Sequence, residues 1–283
     1  MVYHVAAVSF LNAIPLIDWF EQTGDDRVAL SRALPSRLGG MLSSGQADVA
    51  LLPVVEIFRG ASPGMLPGTG IACCGDVDTV KLFYCGELSQ LTHVAVDRGS
   101  RTSVALLRIL LQEQFGTHPE FSEIEPRPGW RPAADQGALI IGDRCFEYEK
   151  ELRENGETDV TGYDLGGAWH KLTGLPFVFA AWAVAPGFPE KAGDEGLREL
   201  TDLLTRARDH GLSHLDEISV REAAAGRLGH KGEATAEALD YYFRHSLCYV
   251  LGDEEMAGLR RFHEFCVKHG VVPDGSAPLI IER

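Results

Sequence analysis

Apolar and polar positions follow two alternating rhythms along the first part of the chain. Tyr3–Val8 is a short apolar run of strand type, and Ser9 then precedes a helical pattern carrying Leu11, Ile14, Leu16 and Trp19. Val28–Leu34 predicts a second strand. Pro35 and Ser36 open a short helix with Leu38, Met41 and Leu42, which Gly45 stops. Val49–Val55 is almost unbroken in apolar character, as expected of a parallel strand buried on both faces. This order of strands and helices implies right-handed crossovers and an α/β sheet.

Gly60–Gly70 is rich in Gly and Pro and predicts a loop. Ile71–Cys74 and Thr79–Cys85 then predict a hairpin around Gly75-Asp76. A second α/β unit starts with strand His93–Val96, followed by a helix with Val104, Leu107, Leu110 and Leu111 on one face. Beyond a Pro-rich loop (Pro126, Pro128, Pro132), Ala138–Ile141 is another buried strand. Asp164–Leu172 predicts a helix and Leu175–Ala185 a long apolar strand. From Glu195 onward the pattern turns helical, over Leu197–His210, Leu215–Leu228, Ala234–Cys248 and Glu254–His269. The expected organisation is two α/β lobes. Residues 1–90 and 185–283 form the first and 91–184 the second, with crossings near 85–95 and 183–190 and the tail returning to the first lobe.

Composition narrows the classes. A chain of 283 residues with 45% hydrophobic content can bury a sizeable core, which excludes disorder as the main state. The formal net charge of −15 argues against nucleic acid or an anionic membrane as partner, since both need a basic face. No apolar run reaches membrane-spanning length, and Met1–Ser9 reads as an opening strand with no secretory pattern, so a cytoplasmic protein is expected. None of the six cysteines forms a C-x-x-C pair, and no His cluster has zinc spacing. Buried, unpaired thiols and no metal are the expectation.

Ligands of open α/β sheets gather beyond the carboxyl ends of strands. Three segments fit that rule. Ser9-Phe10-Leu11-Asn12 lies at a strand-to-helix turn, where a helix start offers free N–H groups and a positive dipole end. Gly99-Ser100-Arg101-Thr102-Ser103 has a glycine and three hydroxyls ahead of a helix, in keeping with an anion nest or with plain N-capping. Gly142-Asp143-Arg144 is the third, where Asp143 serves either a ligand or the helix behind it. Asn12 is out of place inside a first helical turn unless it has a task. Glu56 ends a buried strand, where a carboxylate needs a partner or a solvated cleft. No G-x-S-x-G, P-loop or H-E-x-x-H occurs. The tail histidines (His210, His214, His230, His245, His263, His269) read as helix-surface residues, and Tyr241, Tyr242, Phe243 and Tyr249 as core or interface.

Together these segments resemble one family, the chorismate dehydratases of the futalosine route to menaquinone. The matching stretches are Val8-Ser-Phe-Leu-Asn-Ala-Ile-Pro-Leu16, Leu34-Pro-Ser-Arg-Leu38, Gly45-Gln-Ala-Asp-Val-Ala-Leu-Leu-Pro53 and Glu56. Further on come Val94-Ala-Val-Asp97, Ser100-Arg-Thr-Ser-Val-Ala-Leu-Leu107, Leu139-Ile-Ile-Gly-Asp143, Asp164-Leu-Gly-Gly-Ala-Trp169 and Thr173-Gly-Leu-Pro-Phe-Val-Phe-Ala180. They run in order to about residue 185. Gly75-Asp-Val-Asp-Thr-Val80 departs from the expected Gly-Pro-Val-x-Ser-Val, although Thr79 keeps a hydroxyl.

The resemblance implies a two-lobed fold of the type II periplasmic-binding-protein kind, closing over its ligand by hinge motion. It implies conversion of chorismate to 3-[(1-carboxyvinyl)oxy]benzoate and water, without a cofactor. It places Ser9, Phe10, Leu11, Pro53, Thr79, Ser100, Arg101, Thr102, Ser103, Gly142 and Arg144 on the substrate, and Asn12, Glu56 and Asp143 at the chemistry. Helix starts in both lobes would meet the two carboxylates of chorismate, with Arg144 as a side-chain cation. Three bases stay open: Asp143, Glu56, or the substrate's own enolpyruvyl carboxylate with Asn12 holding the reacting groups. The alternatives to the family reading are a non-catalytic receptor for a small carboxylate, or the sister enzyme cleaving cyclic dehypoxanthinylfutalosine. The latter is expected to carry a histidine at the strand that here ends Ile140-Ile-Gly-Asp-Arg144. A regulatory domain has no support, because no basic recognition helix is visible.

Overall fold

The computed structural model describes residues 1–97, 100–123, 129–226, 235–274, 276 and 280–281. The chain runs β1 (Tyr3–Val8), a 3-10 turn (Leu11–Ala13), α1 (Ile14–Thr23), β2 (Val28–Ala33), α2 (Pro35–Ser43), β3 (Val49–Pro53) and α3 (Val54–Phe58). It continues through β4 (Met65–Cys73), β5 (Val80–Cys85), β6 (His93–Val96), α4 (Thr102–Phe115), β7 (Glu120–Glu123), β8 (Gln136–Ile141), α5 (Arg144–Glu154), β9 (Val160–Asp164) and α6 (Leu165–Thr173). The last part is β10 (Phe177–Val184), α7 (Phe188–Ser213), α8 (Leu215–Ala224), α9 (Ala236–Tyr241), β11 (Cys248–Leu251) and α10 (Asp253–Lys268).

Two mixed sheets result. The first has order β11-β4-β10-β3-β1-β2 and the second β7-β6-β8-β5-β9. β1 pairs β2 and β3 in parallel, and β6 pairs β7 and β8 in parallel, as the strand–helix rhythm predicts. The central strands β3 and β10 are buried at every position, which explains their continuous apolar runs. α10 closes the first sheet from the tail. Phe262 meets Phe177 at 4.8 Å and Trp169 at 5.9 Å between ring centroids, both edge to face.

Several expectations change. Val49–Val55 stops as a strand at Pro53, which has no N–H for the ladder, and Val54–Phe58 turns helical. Glu56 therefore sits in a short helix and not at a strand end. The Gly/Pro-rich stretch contributes β4 from Met65 onward. The predicted hairpin does not form, because β4 is already paired on both sides by β10 and β11. β5 joins β8 and β9 in the second sheet. The chain thus enters the second sheet after Cys73 and leaves it after Asp164, earlier than the expected crossings near 85–95 and 183–190. Cys248, expected in a helix, begins strand β11 on the edge of β4. The polar edge strands β7 and β9 carry too little apolar alternation to stand out in sequence. Gly99, Pro126, Pro128, Leu228, His230 and Ala234 lie outside the described residues. Four of the six free cysteines are buried; Cys74 is exposed and Cys248 half-buried. His269 is not a surface residue: its ring is 6% exposed and contacts Glu113 at 2.7 Å.

Asp164 locks the crossing between the sheets. Its carboxylate accepts backbone N–H bonds from Val77, Asp78, Gly166 and Gly167, at 2.8–3.2 Å. It thereby caps α6 and pins the incoming segment at once. Burial pushes the carboxyl above its ordinary value, against the opposing pull of the N–H donors. The folded state therefore holds this proton more tightly than the unfolded chain. The contribution of Asp164 to stability is largest at low pH and declines as pH rises through the raised value.

α7 and α1 approach so closely that a Cβ at Gly211 would lie 1.8 Å from the Pro15 carbonyl oxygen, whereas one at the exposed Gly40 meets nothing within 4 Å. Gly211→Ala is expected to cost about 2 kcal/mol or more in urea unfolding by forcing the helices apart. Gly40→Ala, inside α2, should gain about 0.5–1 kcal/mol. Equal responses at the two sites would contradict this helix packing.

Candidate functional site

A cavity lies beyond the carboxyl ends of β1, β3 and β8, where ligands gather in sheets of this kind. Val8, Phe10, Asn12, Pro35, Pro53, Ile71, Phe179 and Ala180 line it from the first sheet and its loops. Thr79, Val80, Ser100, Arg101, Thr102, Ser103, Ile141 and Gly142 line it from the second, with Val77 and Leu247 between. The walls are mostly apolar. The polar groups are one amide, four hydroxyls and one guanidinium; no carboxylate, histidine or lysine is among the described lining residues.

Two buried polar atoms on residues that line this cavity have no hydrogen-bond partner among the described residues: Asn12 Oδ1 and Ser100 Oγ. Each would cost about 1–3 kcal/mol if left unsatisfied. They come from opposite walls. A ligand with polar groups at both ends would satisfy both.

The local sequence explains how each is placed. β1 ends at Val8, and Phe10 stays extended (φ −86°, ψ 160°), so the chain turns into the 3-10 turn that holds Asn12. That turn's first N–H, on Leu11, donates at 3.2 Å to Asp143 Oδ1 across the cleft. On the other wall, α4 starts at Thr102 with no side-chain cap, so its first N–H groups and positive dipole end abut the cavity. The Val55 N–H donates to Thr102 Oγ1 at 3.4 Å, tying this helix start to α3.

Thr79 is held by an over-determined turn. Asp78 has φ 63°, the one positive value at a described non-glycine residue, and the Thr79 N–H donates to the Val77 carbonyl at 2.8 Å. A turn of this kind persists only when its surroundings enforce it. Asp164 takes the Val77 and Asp78 N–H groups, and Ser246 donates to the Asp78 carboxylate at 2.6 Å. The Tyr242 hydroxyl lies 2.8 Å from Thr79 Oγ1. Burial raises the Tyr242 phenol well above its ordinary value, so it keeps its proton. Gly142, at φ 68°, needs to be glycine. A Cβ there would come within 2.9 Å of the Phe10 ring, closing the two walls on each other.

The structure thus brings Phe10, Asn12, Pro53, Thr79, Ser100, Arg101, Thr102, Ser103 and Gly142 to one cavity. Five of the residues expected there stand back from it. Ser9 uses its N–H on the Ala33 carbonyl at 3.1 Å, and Leu11 is buried behind the lining. Asp143 does not cap its own helix but holds the Leu11 N–H. Glu56 pairs with Arg59 at 2.9 Å, one turn along α3. Arg144 pairs with Asp97 at 2.9 Å, which leaves Arg101 as the cation on the lining. Tyr242 and Leu247 were not foreseen. Both belong to the stretch around a single π-helical turn, Tyr242–Ser246, that ends α9. Such turns often mark functional sites, but no residue pattern announces them.

Two mixed sheets with a cleft between them make up the periplasmic-binding-protein-like fold. A protein of Archaeoglobus fulgidus has the same fold at a TM-score of 0.69 and 13% identity, covering 95% of this chain and 98% of that one. A Candida albicans protein, described as having the generic periplasmic binding protein fold, matches at a TM-score of 0.63 and 12% identity, over 97% of this chain and 92% of that one. The family model described as menaquinone biosynthesis matches residues 3–268, and the chain belongs to that family. A Thermus thermophilus protein named chorismate dehydratase is 33% identical over 274 residues, 93% of this chain and 94% of its own length.

Tyr242→Phe removes the buried partner of Thr79 and is expected to cost about 1–2 kcal/mol in urea unfolding. Tyr241→Phe, on the 61% exposed neighbour, should stay within about 0.5 kcal/mol of the parent. Indistinguishable midpoints for the two variants would refute the Thr79–Tyr242 bond.

Proposed function

We propose that this protein is a chorismate dehydratase, converting chorismate to 3-[(1-carboxyvinyl)oxy]benzoate and water. Family membership supports the reaction class. The observation that carries the mechanism is the lining itself, which has polar groups to orient a dicarboxylate but, among the described residues, no carboxylate, histidine or lysine to act as base.

The chemistry is compatible with that poverty. The C3 proton is acidified by conjugation through the diene to the ring carboxylate. Its loss sends the electron pair toward that carboxylate, and departure of the 4-hydroxyl then leaves an aromatic ring. The reaction is redox-neutral, with one proton and one hydroxide leaving as water. The protein must orient the ring, stabilise charge building on the ring carboxylate and exclude water. The start of α4 with Ser100, Thr102 and Ser103 receives one carboxylate, and Arg101 supplies the compensating charge. Asn12 orients the enolpyruvyl group from the facing wall. The enolpyruvyl carboxylate takes the C3 proton, a role left to it because Glu56 is held by Arg59 and Asp143 by the Leu11 N–H. Asp143 is then a positioning residue that sets Phe10–Asn12 against the second sheet. The lobes of the sequence reading, with crossings moved to the turn at Val77–Thr79 and to α6, would close on this cavity. A cytoplasmic setting goes with this reading, and six unpaired cysteines suit a reducing compartment.

Incubation with chorismate, followed by chromatography and mass analysis, should show loss of one water to the enolpyruvyl-benzoate. Tight chorismate binding with no turnover would instead favour the receptor reading. Asn12→Ala should lower kcat/KM by about 10²-fold. Glu56→Gln and Asp143→Asn should each retain turnover within about tenfold. Abolished turnover in either, with chorismate affinity intact, would transfer the base to that side chain. Because no carboxylate, histidine or lysine is among the described lining residues, kcat/KM should stay flat between about pH 6 and 9, the interval between ordinary carboxylates and lysines.

A further inference from the structure

A second concavity adjoins the first and shares Ser100 and Arg101 with it. Its charged lining consists of Arg59, Arg101 and Arg108, and no acidic residue is among its described lining residues. In a chain with 41 acidic and 26 basic residues, such a grouping runs against the average composition.

The arginines are arranged. Arg101, Val104, Ala105 and Arg108 recur at helical spacing and fall on one face of the α4 start. Arg59 closes the groove from the end of α3. The Arg108 guanidinium stacks on the Phe121 ring at 4.0 Å, which fixes its plane and leaves its N–H edges available. Glu56 fixes Arg59 at 2.9 Å and offsets one of the three positive charges. Ser100, 94% buried by its 6% exposure, lines the junction with an unpartnered Oγ.

We infer that this groove is a second binding site, for a small dianion of dicarboxylate or phosphate type, opening at Ser100–Arg101 into the reaction cavity. While the reaction cavity is empty and Arg101 is free to face the groove, three guanidinium groups with one carboxylate leave two net charges, the complement of a dianion. Planar forks favour carboxylate and phosphate oxygens. Two sources share that chemistry: the dicarboxylate substrate in transit, or a separate small anion. The transit role rests on the chorismate reading, whereas the dianion site does not.

Inorganic phosphate is the probe, titrated by calorimetry at low ionic strength into the full-length protein and into Arg59→Gln/Arg108→Gln. Both replaced side chains are at the surface, and matching thermal midpoints verify the fold. Saturable binding in the parent, weakened at least about tenfold in the double variant, is expected. No saturable binding in the parent, or equal affinity in both proteins, overturns the site. Chorismate kinetics then separate the sources. With substrate in transit, the double variant loses about tenfold in kcat/KM, keeps its kcat, and shows a flatter salt dependence. With a separate anion, phosphate binding is lost while kcat/KM is unchanged. If the parent does not turn over chorismate, the function proposed above fails, and the phosphate titration still decides the groove.

Discussion

One half-buried carboxylate organises the middle of this molecule. Asp164 accepts four backbone N–H groups, two from the helix it caps and two from the segment where the chain passes into the second sheet. Without those bonds, the left-handed turn at Asp78 would have little to enforce it, and Thr79 would not be presented to the cavity. Tyr242 and Ser246, reaching in from the tail, bond to the same turn. The crossing between sheets, the placement of a site hydroxyl and the docking of the C-terminal region are therefore one problem, solved around one side chain.

The charge arithmetic of the chain makes anion binding a local matter. With a net charge of −15, long-range potential repels a dicarboxylate. What counters it is short-range: the uncapped start of α4, Arg101 at its first turn and, next to it, Arg59 and Arg108. Acidic residues near the cleft are engaged elsewhere, Glu56 on Arg59, Asp97 on Arg144 and Asp143 on the Leu11 N–H. Those pairings remove free carboxylates from the approach of an anion. They also show that Glu56 and Asp143, which stand out in the sequence, each have a partner within the protein.

The proposed elimination suits a site of this kind. When the product is aromatic and the acidic proton is conjugated to a carboxylate, the protein gains most by orienting the substrate and excluding water. Apolar walls and a few unpaired polar atoms, Asn12 Oδ1 and Ser100 Oγ, suit such orientation, with no carboxylate, histidine or lysine among the described lining residues. A binding-protein scaffold already has this architecture, so chemistry of this sort asks little more of it than a well-shaped cleft.

Much was legible in the residues alone. The buried runs Val49–Pro53 and Phe177–Val184, the period of α4, and the strand ends at Val8 and Ile141 all follow from local hydrophobic pattern, which depends only on near neighbours in the chain. The motifs around Asn12, Ser100–Ser103 and Gly142 identified the cavity wall, because ligands gather at strand ends in such sheets. Tertiary structure decided the rest. Whether Thr79–Cys85 pairs with its neighbour or with β8 depends on which strand edges are already occupied. Whether Glu56, Asp143 and Arg144 face a ligand depends on Arg59, the Leu11 N–H and Asp97, partners up to 132 positions away. Tyr242 reaches Thr79 across 163 positions through a π turn. Sequence specifies which groups can pair, and packing across distant segments selects which of them do.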